Sequence, residues 1–123
     1  MMNLGHTFDG LPEELRIPLR DVLAPDESLL EMVVGVGATL VLTSARLIMV
    51  RDGAAFRPRS GVRTWNLPDG PAIRSGMLLH GTGRLLIEGL GRPASLFIAE
   101  SNWPRARDLV EELHRQVHLL TKP

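Results

Sequence analysis

Residues 38–52, Ala-Thr-Leu-Val-Leu-Thr-Ser-Ala-Arg-Leu-Ile-Met-Val-Arg-Asp, set two apolar runs on either side of a short polar break. Runs of five or six residues rich in Val, Ile, Leu and Thr, joined by so brief a step, form an antiparallel hairpin rather than a helix. An isolated hairpin is marginal in water and needs further strands or a helix against its apolar face. The chain must therefore build a β-rich layer around this stretch.

The flanking sequence supplies that layer. Candidate strands are Leu29–Val34, Thr39–Thr43, Arg46–Arg51, Val62–Leu67, Ala72–Leu79, Arg84–Gly89 and Ala94–Ala99. Turn residues punctuate them at Gly35-Val-Gly37, Arg51-Asp-Gly53, Pro68-Asp-Gly-Pro71, His80-Gly-Thr-Gly83 and Gly91-Arg-Pro93. Seven short strands at this spacing predict an antiparallel barrel or sandwich, with 54–61 as the longest loop. The period then changes. Trp103, Ala106, Val110, Leu113, Val117 and Leu120 step by three and four, which predicts one amphipathic helix over 102–120. Ser101 or Asn102 suits its cap, Pro104 its first turn. Its apolar stripe must be buried, and the open end of the sheet is the nearest surface.

Ahead of the strands, residues 1–10 read as a flexible tail. Leu11, Leu15, Leu19, Val22 and Leu23 give a helical piece over 11–23. Pro18 interrupts it, and an interior proline costs about 3 kcal/mol, so a kink or two short pieces is expected. So short a helix is unstable alone, so Leu11, Leu15 and Leu19 are expected to pack on the strands or on a neighbouring subunit. The whole reads as one domain, 11–123, with its strands over 28–100.

Composition narrows the function classes. At 123 residues the chain buries enough surface to fold without staples. With no Cys there are no disulfides, thiolate zinc sites or thiol nucleophiles. Neither a signal-peptide pattern nor an apolar run of membrane-spanning length is present, which together with the missing Cys predicts a cytoplasmic protein. Fourteen basic residues balance fourteen acidic ones, which argues against nucleic acid as the partner. Thirteen of the basic residues are Arg, a bias attributed to GC-rich coding rather than to guanidinium chemistry.

Few constellations carry chemistry. Arg46, Arg51, Arg57, Arg59, Arg63 and Arg74 outnumber Asp52 and Asp69 in the middle of the chain. Of these, Arg57, Arg59, Arg63 and Arg74 are the candidate contacts for an anion or an acidic partner. The ordinary alternative is a solvated loop whose arginines pair with nearby carboxylates. His114 and His118 lie four apart, on one face of the helix, and are weak candidates for a metal clamp that lacks a third ligand. Gly35-Val-Gly37 and Gly81-Thr-Gly83 lack the third glycine and following helix of a phosphate cradle. Glu13/Glu14 and Glu111/Glu112 are adjacent pairs that diverge on a helix, and no Gly-x-Ser-x-Gly elbow occurs. No catalytic residue, cofactor or metal is therefore expected. Trp103 is expected to pack against the strands, whereas alternation leaves Trp65 undecided, since it shares its parity with Arg63 and Leu67.

Seven strands followed by one helix is the element order of the pleckstrin-homology superfold. Leu40 to Arg51 resembles the bacterial PH-like domains of the YokE type and the related GRAM domains, with Thr43, Arg46 and Leu47 on matching positions. Leu23-Ala-Pro-Asp-Glu27 resembles the turn these families place before their first strand, and Trp103–Leu120 their closing helix. Ser44 and Ala45 stand where relatives often carry Asp and Arg, which predicts a looser hairpin turn. The resemblance implies a non-catalytic scaffold for binding lipids, peptides or other protein chains. The leading expectation is an interaction module that self-associates or docks a protein partner through a strand edge or the groove beside the helix. Phosphoinositide-binding relatives use basic residues between their first two strands, and here Gly35-Val-Gly-Ala38 has none. The alternatives are a peripheral membrane module holding anionic lipid through loop 57–63, and a small-molecule binder or enzyme in the barrel mouth.

Overall fold

The computed structural model describes residues 13–20, 23–53, 61–77 and 81–121. In chain order these form α1 (Glu13–Arg20), β1 (Leu29–Val34), β2 (Ala38–Thr43), β3 (Arg46–Arg51), β4 (Val62–Asn66), β5 (Ala72–Met77), β6 (Gly83–Glu88), β7 (Ala94–Ile98) and α2 (Trp103–Thr121). Two antiparallel sheets result, in the orders β1-β2-β3-β4 and β5-β6-β7. No strand pairs across them among the described residues, so the molecule is a sandwich that does not close into a barrel.

The inner faces meet in one core. Leu40, Leu42, Leu47 and Met49 of the first sheet face Ile73, Leu85, Ile87, Leu96 and Ile98 of the second. Helix α2 lays Ala106, Leu109 and Leu113 into the same core, with Trp103, Val110 and Val117 at its margin. The buried stripe thus includes Leu109, which the expected series passed over. Leu120, expected in that stripe, is exposed with Leu119 because the last turn lies outside the core.

Both faces of the first sheet are covered. Leu19 of α1 joins Leu29, Val41, Ile48 and Val50 in a second cluster on the outer side. That is why every residue of β2 is buried and why it reads as an unbroken apolar run. Helix α1 runs through Pro18 as a single eight-residue segment, not as two pieces. The missing N–H and the ring conflict with one carbonyl, that of Glu14, near the start of a helix only two turns long. Leu11 lies outside the described residues, as does the side chain of Leu15.

Local chemistry sets the remaining boundaries. β4 ends at Asn66, one residue early, because Leu67–Asp69 forms a 3-10 turn closed by Gly70 at φ 72°. A similar turn over Glu100–Asn102 delays α2 to Trp103. Asn102, one of the expected caps, points its amide to the Val34 carbonyl at 3.1 Å and ties the start of α2 to the end of β1. Gly83 makes the adjoining contact possible. A Cβ there would lie 2.0 Å from the Trp103 ring, so only glycine lets the indole rest on β6.

Candidate functional site

Thr43 and Arg46 are spent on holding the fold. The Glu27 carboxylate, buried at the turn before β1, receives Arg46 Nε at 3.1 Å and Nη2 at 2.7 Å. It also accepts the Thr43 hydroxyl and the Ala24 N–H, the latter at 3.0 Å. Thr43 Oγ1 in turn accepts the N–H groups of Ala45 and Arg46 at 3.1 and 3.0 Å. The β2–β3 turn is therefore clamped, not loosened, despite Ser44 and Ala45. Ser44 adds two bonds to Ser28, one through its N–H at 2.9 Å and one through its hydroxyl oxygen at 3.1 Å. Burial raises the Glu27 carboxyl, but bonds from Arg46, Thr43 and Ala24 with the Arg46 charge outweigh it, and its pKa falls below the ordinary carboxylate value.

The uncharged β1–β2 loop docks on the second sheet. Val36 N–H donates to the Phe97 carbonyl at 2.8 Å. Gly35 permits the approach, since a Cβ there would sit 2.7 Å from the Leu96 side chain. Val34, Val36 and Phe97 flank this contact and remain 51%, 65% and 44% exposed. They form an apolar corner, with the exposed Arg84 of β6 opposite Phe97 at its side.

Of the candidate arginines, Arg63 and Arg74 are described and lie on different sheets. Arg57 and Arg59 lie outside the described residues. Arg63 stacks on Trp65 with its guanidinium carbon 4.6 Å from the ring centre and donates to the Arg92 carbonyl. Arg74, on the other sheet, pairs with Glu88 at 2.8 Å. The two histidines diverge in role as well. His114 Nε2 accepts the Ile73 N–H at 3.3 Å, which turns this ring toward β5, while His118 is exposed. Among the described residues no three His, Cys, Asp or Glu side chains gather as a metal site.

Two of the recesses among the described residues are lined by polar groups. A shallow one of about 420 Å³ lies where α2 crosses β1 and is lined by Glu31, Asp108, Glu111, Glu112 and Arg115. Glu112 is engaged by Arg115 and by Gln116, the latter at 2.7 Å. Burial, followed by the charges of Asp108 and Glu112, raises the Glu31 pKa, with Arg105 opposing. The second recess, about 200 Å³, borders β4 and is lined by Thr64, Trp65, Asn66, Asp69, Pro71 and Leu90. Trp65 is only 4% exposed, and its buried Nε1 has no hydrogen-bond partner among the described residues. The spacing Arg63-x-Trp65 was the available signal, since residues two apart on a strand share a face and a guanidinium can cover an indole.

Solved structures with a similar fold come from bacteria. A pleckstrin homology domain from Shewanella amazonensis SB2B superposes with a TM-score of 0.56 at 15% identity, over 84% of this chain and 97% of that one. A DUF1696 family protein with a pleckstrin-homology domain from Shewanella loihica PV-4 gives 0.57 at 14%, over 93% and 99%. A PH domain containing protein from Exiguobacterium sibiricum 255-15 gives 0.57 at 12%, over 92% of this chain and 59% of its own length. No family model and no curated protein matches the sequence. At these identities the likeness shows the fold alone, a PH-like sandwich closed by a C-terminal helix.

Proposed function

We propose that the chain is a non-catalytic, cytoplasmic interaction module of the YokE/GRAM-like type that makes protein–protein contacts, self-association first among them. The apolar corner of Val34, Val36 and Phe97 carries the reading. Three large apolar side chains brought together at a sandwich corner form the kind of patch that a protein partner desolvates. A headgroup reader of this superfold needs cations in the β1–β2 loop, and residues 35–38 have none.

Light scattering tests it. Wild-type protein is expected to exceed the 13.6 kDa of one chain. The double variant Val36→Asp/Phe97→Asp is expected to return to that mass with its melting midpoint intact. A wild type that stays at monomer mass to millimolar concentration removes self-association. Capture by phosphatidylserine vesicles that is lost on neutralising Arg57, Arg59 and Arg63 would replace the protein partner with anionic lipid.

A further inference from the structure

Strand β4 ends the first sheet, and among the described residues nothing pairs with its outer edge. The ladder fixes which groups face outward. Arg51 N–H bonds the Gly61 carbonyl at 2.7 Å and Leu67 N–H bonds the Ala45 carbonyl at 3.0 Å. Hydrogen-bonded pairs alternate in an antiparallel ladder, so Arg63 (opposite Met49) and Trp65 (opposite Leu47) point their backbone groups inward to β3. Val62, Thr64 and Asn66 therefore aim N–H and C=O out of the sheet, the template for one added strand.

The Trp65 recess opens along this edge, since Thr64, Trp65 and Asn66 all line it. Its walls state what an occupying side chain must offer. Pro71 and Leu90 supply apolar contact for a short stem. The Trp65 Nε1–H is a buried donor without an acceptor, a situation that costs about 1–3 kcal/mol until one is supplied. The exposed Asp69 carboxylate, in no ion pair among the described residues, is open to a donor from an occupant. The Cδ1 edge of the indole, next to Nε1, faces the Gly89–Pro71 side, where a Gly89 Cβ would lie 3.0 Å from Cδ1 and 3.5 Å from Pro71 Cβ. An aliphatic side chain leaves both polar groups unpaired. An ammonium or guanidinium group satisfies Asp69 and cannot accept from the indole. A carboxylate accepts from the indole and is repelled by Asp69. A carboxamide does both, its oxygen accepting and its NH2 donating.

We propose that the outer edge of β4, unpaired among the described residues, takes up an extended peptide segment of a partner protein as an added strand, with a glutamine or asparagine side chain seated in the Trp65 recess. A second copy of β4 fits less well. The one carboxamide it brings, Asn66, already lines the recess of its own chain, and its Arg63 is held by Trp65 and the Arg92 carbonyl. The site is separate from the apolar corner, so either stands if the other fails.

Random heptapeptides displayed on phage and panned on the full chain are the probe. Enriched sequences are expected to share Gln or Asn at one position. As synthetic peptides they are expected to shift the Trp65 indole N–H resonance, told from the other tryptophan by Trp103→Phe. Replacing that Gln or Asn by Leu or Glu weakens binding about tenfold. Thr64→Pro removes an outward N–H but no bond of the β3–β4 ladder, and is expected to abolish binding while the amide spectrum stays folded. Asp69→Ala, in an exposed turn, weakens the Gln peptide about tenfold and serves if the proline variant unfolds. Enrichment without Gln or Asn, an unmoved Trp65 indole, or undiminished binding to Thr64→Pro or Asp69→Ala overturns the proposal. So does a concentration-dependent dimer that Thr64→Pro abolishes, because the edge then serves a second copy.

Discussion

Arg46 grips Glu27 through two nitrogens, Nε on Oε2 at 3.1 Å and Nη2 on Oε1 at 2.7 Å, across nineteen residues of sequence. Removing the arginine strands a buried carboxylate. Arg46→Ala is expected to cost about 2–3 kcal/mol in urea unfolding, below the loss for a wholly buried pair because the guanidinium keeps some water. The double variant with Glu27→Ala is expected to lose clearly less than the two single losses added together. Simple additivity would show that the pair contributes nothing.

The same carboxylate sets an acid limit. Burial pushes Glu27 up, while its bonds to Arg46, Thr43 and Ala24 and the Arg46 charge bring it below the ordinary value of 4.5. An acid lowered in the folded state contributes stability that is full above its unfolded pKa and is lost as pH falls through its folded pKa. Wild-type stability is therefore expected to decline from about pH 5 downward. Glu27→Gln, weaker at neutrality, is expected to show a flatter acid limb in the same chemical-unfolding series.

Glu31 has the opposite sign. Burial and the neighbouring Asp108 and Glu112 raise its pKa, so its ionised form costs stability at neutral pH, and acidification through that raised value relieves the cost. Glu31→Gln is expected to stabilise by about 0.5 kcal/mol at pH 7, the scale of a single surface charge pair. The gain is expected to vanish once pH falls below the carboxyl's unfolded value. Equal stability of both proteins across the range would remove the repulsion from the account.

Two glycines in facing strands behave differently. Gly83→Ala drives a methyl group into the Trp103 ring and is expected to cost about 3 kcal/mol. Gly76→Ala meets nothing within 4 Å and is expected to gain about 0.5 kcal/mol through a stiffer unfolded chain. Thermal midpoints of the two variants compare them directly. Equal midpoints would mean that Trp103 moves aside without cost.

Leu19 is the buried anchor of α1 on the outer sheet face. Leu19→Ala is expected to lose about 2–4 kcal/mol in urea, the range for a buried leucine. A loss under about 1 kcal/mol would show that the outer cluster closes without the helix.

Most strand positions could be read from the amino acids alone, since alternating or continuous apolar runs and glycine-rich turns follow from local sterics. β1 and β3 have the expected bounds, β2, β4, β6 and β7 differ by one residue at one or both ends, and the expected end of β5 at 78–79 lies outside the described residues. Tertiary information was not in the pattern. Leu109 belongs to the buried stripe because α2 is rotated onto β1, an angle that period counting does not specify. Trp65 stayed undecided because Arg63 shares its face, yet the guanidinium lies over the indole rather than excluding it from the core. Arg46 read as one of several cations, and only folding brings Glu27 to it. The apolar corner was visible as missing charge, but its partner Phe97 comes from a strand sixty residues on.

The Glu27–Thr43–Arg46 knot has a consequence for how such a chain diversifies. Its most recognisable residues are committed to holding two turns together, and none of them lines the corner at Val36 or the recess at Trp65. Substitutions in those two places leave the knot untouched, so new ligand preferences can accumulate at small cost to folding. A sequence recognised by the knot is thereby recognised by its chassis. Relatives sharing it are free to have parted company in everything they hold.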